Sequence, residues 1–430
     1  MTDQTKSSKV LHRLLLHRPE TVTAASGSYY TLSTGQRILD GCTGAAVAVI
    51  GHGDPDVKAA VVEQMSQVAY AHTLAFTTNS AEELAGTLLD GNPHGLCRAY
   101  FVGSGSEAMD AAMKLARQYW VEAGQPQRRR FVARRQAYHG STVGSMSVGG
   151  RPPPRQRQLR EPEEAYAKRL VDELDAEFRA VGPETVMAFI AEPVGGATVG
   201  CITPPRGYFE GVRRVCDKYD ILLILDEVMC GSGRTGTYFA FAQEGDVRPD
   251  LVTLGKGLGG GYTPIAGVLA HQRVIDVLAA GSGAFVHGHT YQAHPVCCAA
   301  ALAVQKVLRR DDLVARCAEK GKWLEQELRT RFEPRRYVGD IRGRGLFWAL
   351  EFVKDKETKE PLAPDLHFAS EMRDQAHRLG LAIYPGAGTA DGHAGDHVIL
   401  APPLNVSQED LEILVDLLEK TYDVVESRVS

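Results

Sequence analysis

Two uninterrupted apolar runs, Val186-Met-Ala-Phe-Ile-Ala191 and Ile221-Leu-Leu-Ile-Leu225, constrain this chain more than any other feature. Neither alternates polar with apolar residues, so neither suits a strand with one wet face. Both suit strands covered on two sides. Between them, Tyr208 to Tyr219 carries Val212, Val215 and Cys216 at helical spacing. Upstream, Arg98-Ala-Tyr-Phe-Val102 is a short buried strand. It leads into a helix from Ser106 to Tyr119, with Ala108, Ala112, Leu115 and Ala116 on one face and Lys114, Arg117 and Gln118 on the other. Strand, helix and strand in repetition predict an α/β unit whose mainly parallel sheet carries helices on both sides.

The ends of the chain have a different texture. Residues 10–18 suit a short helix or an extended arm, and residues 26–40 a hairpin turning at Gly35, with Arg37-Ile-Leu-Asp40 as the return strand. Asp54-Pro-Asp starts a helix that runs from Val57 to Val68. Arg151-Pro-Pro-Pro-Arg155 is a surface loop, followed by a charged helix over 161–180. The alanine-rich helix Pro295 to Leu308 is long enough to bridge two units. Beyond 330 come strands at 337–341 and 345–352, a helix at 364–379, a strand at 396–400 and a closing helix at 408–424, which together make a smaller α+β unit.

Composition narrows the function. A net charge of −5 over 430 residues lacks the basic excess of a nucleic-acid binder, so the partners should be small molecules. No apolar run approaches the roughly 20 residues that span a bilayer, and residues 1–20 lack a signal-peptide core. Arg13, His17 and Arg18 would suit an organelle presequence, but Asp3 opposes it. Eight scattered cysteines without a C-x-x-C point to a reducing compartment and no structural metal. The expected location is cytoplasmic.

The candidate chemistry sits at strand ends, where ligands bind in open α/β sheets. Lys256 stands between Gly255 and Gly257 in a glycine-rich turn, open to a bulky planar partner such as a carbonyl cofactor held as a Schiff base. A solvated loop lysine is the plainer reading, and Gly255-x-Gly-x-x-Gly260 also spells a dinucleotide fingerprint. A phosphate-binding P-loop is excluded by Asp250 and Gly257. Gly103-Ser-Gly-Ser-Glu107, between strand and helix, offers backbone N–H groups and hydroxyls to an anion. Asp226 is a carboxylate at the mouth of an apolar strand, and Tyr138-His-Gly-Ser141 gives an aromatic face beside a glycine. Phosphate cradle, aromatic plate, buried carboxylate and accessible lysine fit a phosphorylated pyridine aldehyde. The rival is an NADP-binding oxidoreductase using Gly103–Ala108, because Arg128-Arg-Arg-Phe-Val-Ala-Arg-Arg135 occupies the interval where an NAD site places its acid.

Over nearly its whole length the chain resembles the class III (omega) aminotransferases, pyridoxal-phosphate enzymes of fold type I. The matching stretches are Phe101-Val-Gly-Ser-Gly-Ser-Glu-Ala108, Lys114-Leu-Ala-Arg117, Tyr138-His-Gly-Ser-Thr142, Ala191-Glu-Pro-Val194 and Leu225-Asp-Glu-Val228. They continue with Gly231-Ser-Gly-Arg-Thr-Gly236, Pro249-Asp250, Gly255 to Gly261, His289-Thr-Tyr291, His294-Pro295 and Ala401-Pro-Pro-Leu404. The resemblance implies a large cofactor-binding domain over 51–308. A smaller α+β domain would come from 309–430, with 1–50 supplying an arm and part of it. It further implies that Lys256 holds the cofactor and shuttles the proton, while Asp226 pairs with the pyridine nitrogen. Gly105 and Ser106 would hold the phosphate, Tyr138 and Val228 would flank the ring, and His139 and Glu192 would lie beside the cofactor. Thr290 would reach in from the second subunit of a homodimer with shared active sites. The implied reaction is a ping-pong transfer of an amino group from an amine or amino acid to a carbonyl acceptor. Epimerisation, aminomutation, decarboxylation and elimination by the same family are the alternatives.

This chain departs from the family where substrate carboxylates are usually held. The expected arginines fall on Ser141, Ile399 and the Gly392-His393-Ala394 stretch, and a gating glutamate falls on Ala197. Arg151, Arg155 or His393 are the candidate substitutes. Gly103, Met229 and Ser232 also depart from common choices without touching the core chemistry. The expected donor is therefore not a plain dicarboxylic amino acid.

Overall fold

The computed structural model describes residues 8–13, 15, 18–91, 94–149 and 161–429. It opens with three short strands, β1 (Val22–Ser26), β2 (Tyr29–Leu32) and β3 (Arg37–Asp40), paired antiparallel in that order. The expected hairpin is present and gains a strand before it; Ser26 belongs to that added strand. No helix forms over residues 8–13, and Leu14, Leu16 and His17 lie outside the described residues. The helix Pro55–Gln67 begins as its sequence dictates: Pro55 takes the first position, and the Asp54 carboxylate accepts the N–H groups of Asp56 (2.9 Å) and Val57 (3.2 Å).

A six-stranded sheet follows, made of β4 (Leu96–Val102), β5 (Arg130–Ala133), β6 (Val186–Ala191), β7 (Leu222–Asp226), β8 (Leu251–Leu254) and β9 (Ala266–His271). Its order is β4-β9-β8-β7-β6-β5. The pairs β5–β6, β6–β7 and β7–β8 are parallel, and β9 runs against both of its neighbours. Every residue of β6 and β7 is buried. Alternate side chains explain why: Phe189, Ala191, Leu223 and Leu225 pack with Phe178, Phe209 and Val212 on one face. Ala188, Ile190, Leu222 and Ile224 pack with Ala108, Ala112 and Trp120 on the other. The helices Glu163–Val181 and Tyr208–Lys218 cover the first face and Gly105–Glu122 the second.

The last third carries β10 (Val338–Arg344), β11 (Phe347–Phe352), β12 (Leu381–Ala382), β13 (Tyr384–Gly386) and β14 (Asp396–Leu400). Four of these form an antiparallel sheet, β10-β11-β14-β13, while β12 pairs parallel with β3 and ties this end of the chain to its beginning. The helices Leu313–Phe332, Phe368–Arg378 and Gln408–Val429 pack here, and Leu39, Val49 and Ile50 join the same apolar cluster. The expected helix over 364–379 divides into a short turn, Pro364–Leu366, and the helix proper, with His367 at φ +45° between them. The helix Pro295–Arg310 contributes Val304, Val307 and Leu308 to this cluster and Cys298, Ala301 and Leu302 to the large sheet's core. The loop at 151–155 lies outside the described residues. Among the described residues, no helix is long and apolar enough to cross a membrane.

Candidate active site

Because β7 and β8 are parallel neighbours, their C-terminal ends open on the same edge of the sheet. Asp226, the last residue of β7, sits in register with Thr253 of β8, three residues before Lys256. The carboxylate is buried without an arginine or lysine partner. It is satisfied instead by three contacts: Thr253 Oγ1 donates to Oδ1 (3.1 Å), the Val228 N–H donates to Oδ1 (3.1 Å), and His139 Nδ1 lies 2.7 Å from Oδ2. Buried carboxylates need such bonds, since an unpaired one costs several kcal/mol. The other ring nitrogen, Nε2, is buried and has no hydrogen-bond partner.

The anion cradle forms where β4 turns into the helix Gly105–Glu122. Ser104 caps the helix by accepting the Glu107 N–H (3.3 Å), and the Glu107 carboxylate reaches back to the Gly103 N–H (2.9 Å). The N–H groups of Gly105 and Ser106, in the first turn, have no acceptor within the helix and point to its N-terminal end. A Cβ on Gly105 would fall 2.8 Å from Cγ1 of Val228, and one on Gly255 would fall 3.2 Å from the same methyl. Val228 is therefore the wedge between the cradle and the lysine turn: a Cβ at 105 would collide with it, and one at 255 would crowd it.

Lys256 itself sits at φ +40°, a backbone region that side-chain-bearing residues seldom occupy. The turn is held from behind, because a Cβ on Gly257 would meet Val49 Cγ1 at 2.8 Å and Ser232 Cβ at 3.0 Å. Strain of this kind persists where surrounding structure imposes it, which is common at functional sites.

Tyr138 and His139 come in on the loop after β5. Tyr138 is 48% exposed and its hydroxyl lies 2.9 Å from Ser141 Oγ. The Ser141 N–H donates to Ser106 Oγ (2.9 Å), fastening this loop to the cradle. Gly140, at φ +129°, permits the approach: a Cβ there would lie 2.6 Å from the Oγ atoms of both Ser106 and Ser145. Glu192 is buried behind the loop, its Oε1 accepting the Gly196 N–H (2.9 Å) and its Oε2 3.5 Å from the Tyr138 nitrogen. Burial pushes the Glu192 carboxyl up, His139 and Arg134 partly offset this, and Asp226 adds to it.

These residues meet the requirements of the phosphorylated aldehyde. Glycines leave a cradle that a Cβ would fill, a histidine bound through Nδ1 to a buried carboxylate leaves its Nε2 without a partner, and a lysine is held on the same sheet edge. No group of three His, Cys, Asp or Glu side chains among the described residues is placed to hold a metal ion. The nucleotide alternative loses its footing at Arg128. That guanidinium is buried, lies 3.9 Å over the Trp120 ring and donates to the carbonyls of Pro183 (3.1 Å) and Val186 (2.9 Å). It braces β5 and β6 and is not available to a phosphate.

Thr290 is exposed on the surface, and its carbonyl accepts the Tyr70 hydroxyl (3.0 Å). Its neighbour His289 lies 3.3 Å from Glu107, at the start of the cradle helix. Ile399 is 0% exposed, inside an apolar cluster with Ala46, Val194, Met229 and Ala401, against which Ala197 packs. His393 is exposed at the tip of the turn between β13 and β14, and Arg151 and Arg155 lie outside the described residues. Thr253, which also bonds the Asp226 carboxylate, is marked in the sequence only as a hydroxyl inside the apolar run Leu251-Val-Thr-Leu254 that leads to Lys256.

A family model described as "Aminotransferase class-III" matches residues 16–422. An uncharacterized aminotransferase of Schizosaccharomyces pombe is 46% identical over 426 residues, covering 94% of this chain and 93% of that protein. An amine transaminase from an uncultivated Pseudomonas species, solved with pyridoxal phosphate bound, is 34% identical with a TM-score of 0.90, covering 98% of this chain and 100% of that one. A thermostable (S)-enantioselective omega-transaminase from Thermomicrobium roseum is 36% identical with a TM-score of 0.87, covering 95% of this chain and 93% of that one.

Proposed function

The chain belongs to the class III aminotransferases, and from that membership we propose how its own residues divide the work. The enzyme moves an amino group from an amine or amino acid donor to a 2-oxo acid or other carbonyl acceptor, using pyridoxal 5′-phosphate. When bound, that cofactor supplies an aldehyde to take up the amino group and a pyridinium ring to draw electrons from the donor's α-carbon. Lys256 would anchor the aldehyde and, once displaced by the donor, would carry the proton from the donor's α-carbon to the cofactor carbon that takes up the nitrogen, and carry one the opposite way for the acceptor. Asp226 would pair with the ring nitrogen, and His139, Thr253 and the Val228 N–H hold that carboxylate in place. The first-turn N–H groups of Gly105 and Ser106 would receive the phosphate, Tyr138 and Val228 would flank the ring, and Glu192 would fix the loop behind it. The observation that carries this assignment is the buried Asp226, in register with Thr253, which stands three residues before the strained Lys256.

The donor is an amine other than a plain dicarboxylic amino acid. Supporting this, the position expected to carry a carboxylate-binding arginine is Ile399, walled in by Ala46, Val194 and Met229. Two of the related structures are described as an amine transaminase and an omega-transaminase. A donor screen against pyruvate tests it: apolar amines should turn over faster than ornithine, glutamate or 4-aminobutyrate. Efficient use of those acids would overturn it.

The active unit is a homodimer in which Thr290 completes the partner's cradle. Met65, Leu74 (89% exposed) and Phe76 (68% exposed) leave apolar side chains in water on the stretch that also carries Tyr70. Tyr70 meets Tyr291 edge-on and His294 at a tilt, and these two line a cavity of about 350 Å³ beside Ser104 and Glu107. A second copy seated there would cover the apolar side chains and close the cavity. Sedimentation should give twice the chain mass, and a stable monomer with full activity would refute it. All eight cysteines are unpaired, which suits a reducing compartment such as the cytoplasm.

A further inference from the structure

Gln136 combines three features that rarely coincide. It is a non-glycine residue at φ +58°, its side chain is buried (6% exposed), and its Oε1 has no hydrogen-bond partner. Two of its other polar groups reach across to other segments. The side-chain Nε2 donates to the Gly388 carbonyl (2.6 Å) in the turn between β13 and β14, and the backbone carbonyl accepts from Thr198 Oγ1 (2.6 Å).

Followed outward, those bonds close on themselves. Thr198 precedes Val199 and Gly200, whose carbonyls accept from Arg342 Nη2 (2.8 Å) and Nε (2.7 Å) on β10. Arg342 pairs with Glu351 on β11, and Glu351 accepts the hydroxyl of Thr389. Thr389 is the residue after Gly388, which returns the path to Gln136. The turn itself is rigid: the N–H groups of Gly388 and Thr389 both donate to the Gly395 carbonyl (2.9 and 3.2 Å), and a Cβ on Gly395 would lie 2.2 Å from Thr389 Oγ1. The ring borders a cavity of about 1090 Å³ that Gln136 lines together with Glu192, Arg342 and Thr389.

We infer that Gln136 is a positioning residue, a tether through which the β13–β14 turn sets the placement of Tyr138 and His139 two and three positions further on. This rests on the reading of Tyr138 and His139 as cofactor neighbours given above. A strained backbone is kept where several bonds impose it, and here they arrive from two directions and fix the start of the Tyr138–Ser141 loop. Release at either end of the ring should therefore be felt at that loop.

The test is amide hydrogen exchange of the cofactor-free protein, with visible circular dichroism of the loaded enzyme as a second readout. In Gln136→Asn the left-handed backbone is easily kept, because asparagine tolerates it, but the side chain is one methylene too short to reach Gly388. In Thr389→Val the ring is opened on its far side, at Glu351, without touching Gln136. Losing one such bond should speed exchange at the amides of residues 138–141 by about three- to ten-fold in both variants. It should also weaken the dichroic band of the bound cofactor. If Gln136→Asn quickens only residues 386–395, or Thr389→Val leaves 138–141 at the wild-type rate, the tether is overturned and Gln136 is a local brace. Should Gln136→Asn fail to fold, Thr389→Val decides alone. A wild-type protein with no cofactor band would count against the site assignment and leave the exchange result standing.

Discussion

His139 Nδ1 lies 2.7 Å from Asp226 Oδ2, and both side chains are shut off from water. The contact gives the carboxylate a donor where no lysine or arginine reaches it. Removing the charge while keeping the shape, as in Asp226→Asn, should lower kcat by roughly 100- to 1,000-fold, the scale of breaking a buried charged pair. The fold should survive, because the amide can still accept from Thr253 and Val228. Thr253→Val should cost about ten-fold or less, as one hydrogen bond of three is lost. Steady-state kinetics beside a melting curve separates these outcomes from unfolding.

Gly105 and Val228 share one space. In Gly105→Ala the new methyl would press on Val228 Cγ1 at 2.8 Å, and overpacking of this kind costs about 1–3 kcal/mol. Cofactor affinity should fall roughly 5- to 100-fold by fluorescence titration. The double variant Gly105→Ala/Val228→Ala should recover much of it, because the second change removes the obstructing methyls. Additive losses would show that the glycine matters for another reason.

Acid should loosen the fold through His397. The ring is buried, its Nε2 lies 3.0 Å from the Ala197 carbonyl, and burial with help from Arg342 pushes its pKa from 6.5 down to about 4, against the pull of Glu351. The folded pKa is the lower one, so between 6.5 and about 4 the unfolded chain binds a proton that the folded chain refuses. Stability is whole above pH 6.5, falls across that window by up to about 3 kcal/mol, and gains no further penalty from this group below it. Urea melts at pH 7.5 and 5.0 should show a smaller difference in His397→Gln than in the wild type.

Arg234 is a buried cation held by neutral groups. It donates to the carbonyls of Leu346 (3.2 Å) and Pro402 and to Thr43 Oγ1 (3.3 Å), stitching the turn after β7 to β11, the Ala401-Pro-Pro-Leu404 stretch and the N-terminal segment. Burial lowers its pKa to about 10. Arg234→Ala should destabilise the protein by about 3–5 kcal/mol, since three carbonyl or hydroxyl acceptors are left buried without their donor. Arg234→Lys should rescue little, because a point ammonium cannot reproduce the forked geometry. Thermal denaturation reads both.

Most of the sheet was legible because its strands are buried on both faces, which leaves an unbroken apolar signature in β6 and β7. β5 was not, since Arg130-Phe-Val-Ala133 lies inside a basic run whose arginines turn to carbonyls and an aromatic ring. β9 was missed because Ala266-Gly-Val-Leu-Ala-His271 is short and carries a glycine. At the site, Lys256 and Asp226 stood out as polar residues at the ends of apolar runs. Gln136 and Thr253 did not, because their roles depend on partners 252 and 27 positions away in sequence. No local pattern records such a pairing.

The most direct measurement is the visible spectrum of the purified protein with pyridoxal phosphate, before and after borohydride, followed by peptide mass spectrometry beside Lys256→Ala. The account predicts a yellow protein whose band borohydride abolishes, with the cofactor's mass fixed on the Lys256 peptide and absent from the variant. A label on another lysine, or a protein that stays colourless with added cofactor, would contradict it.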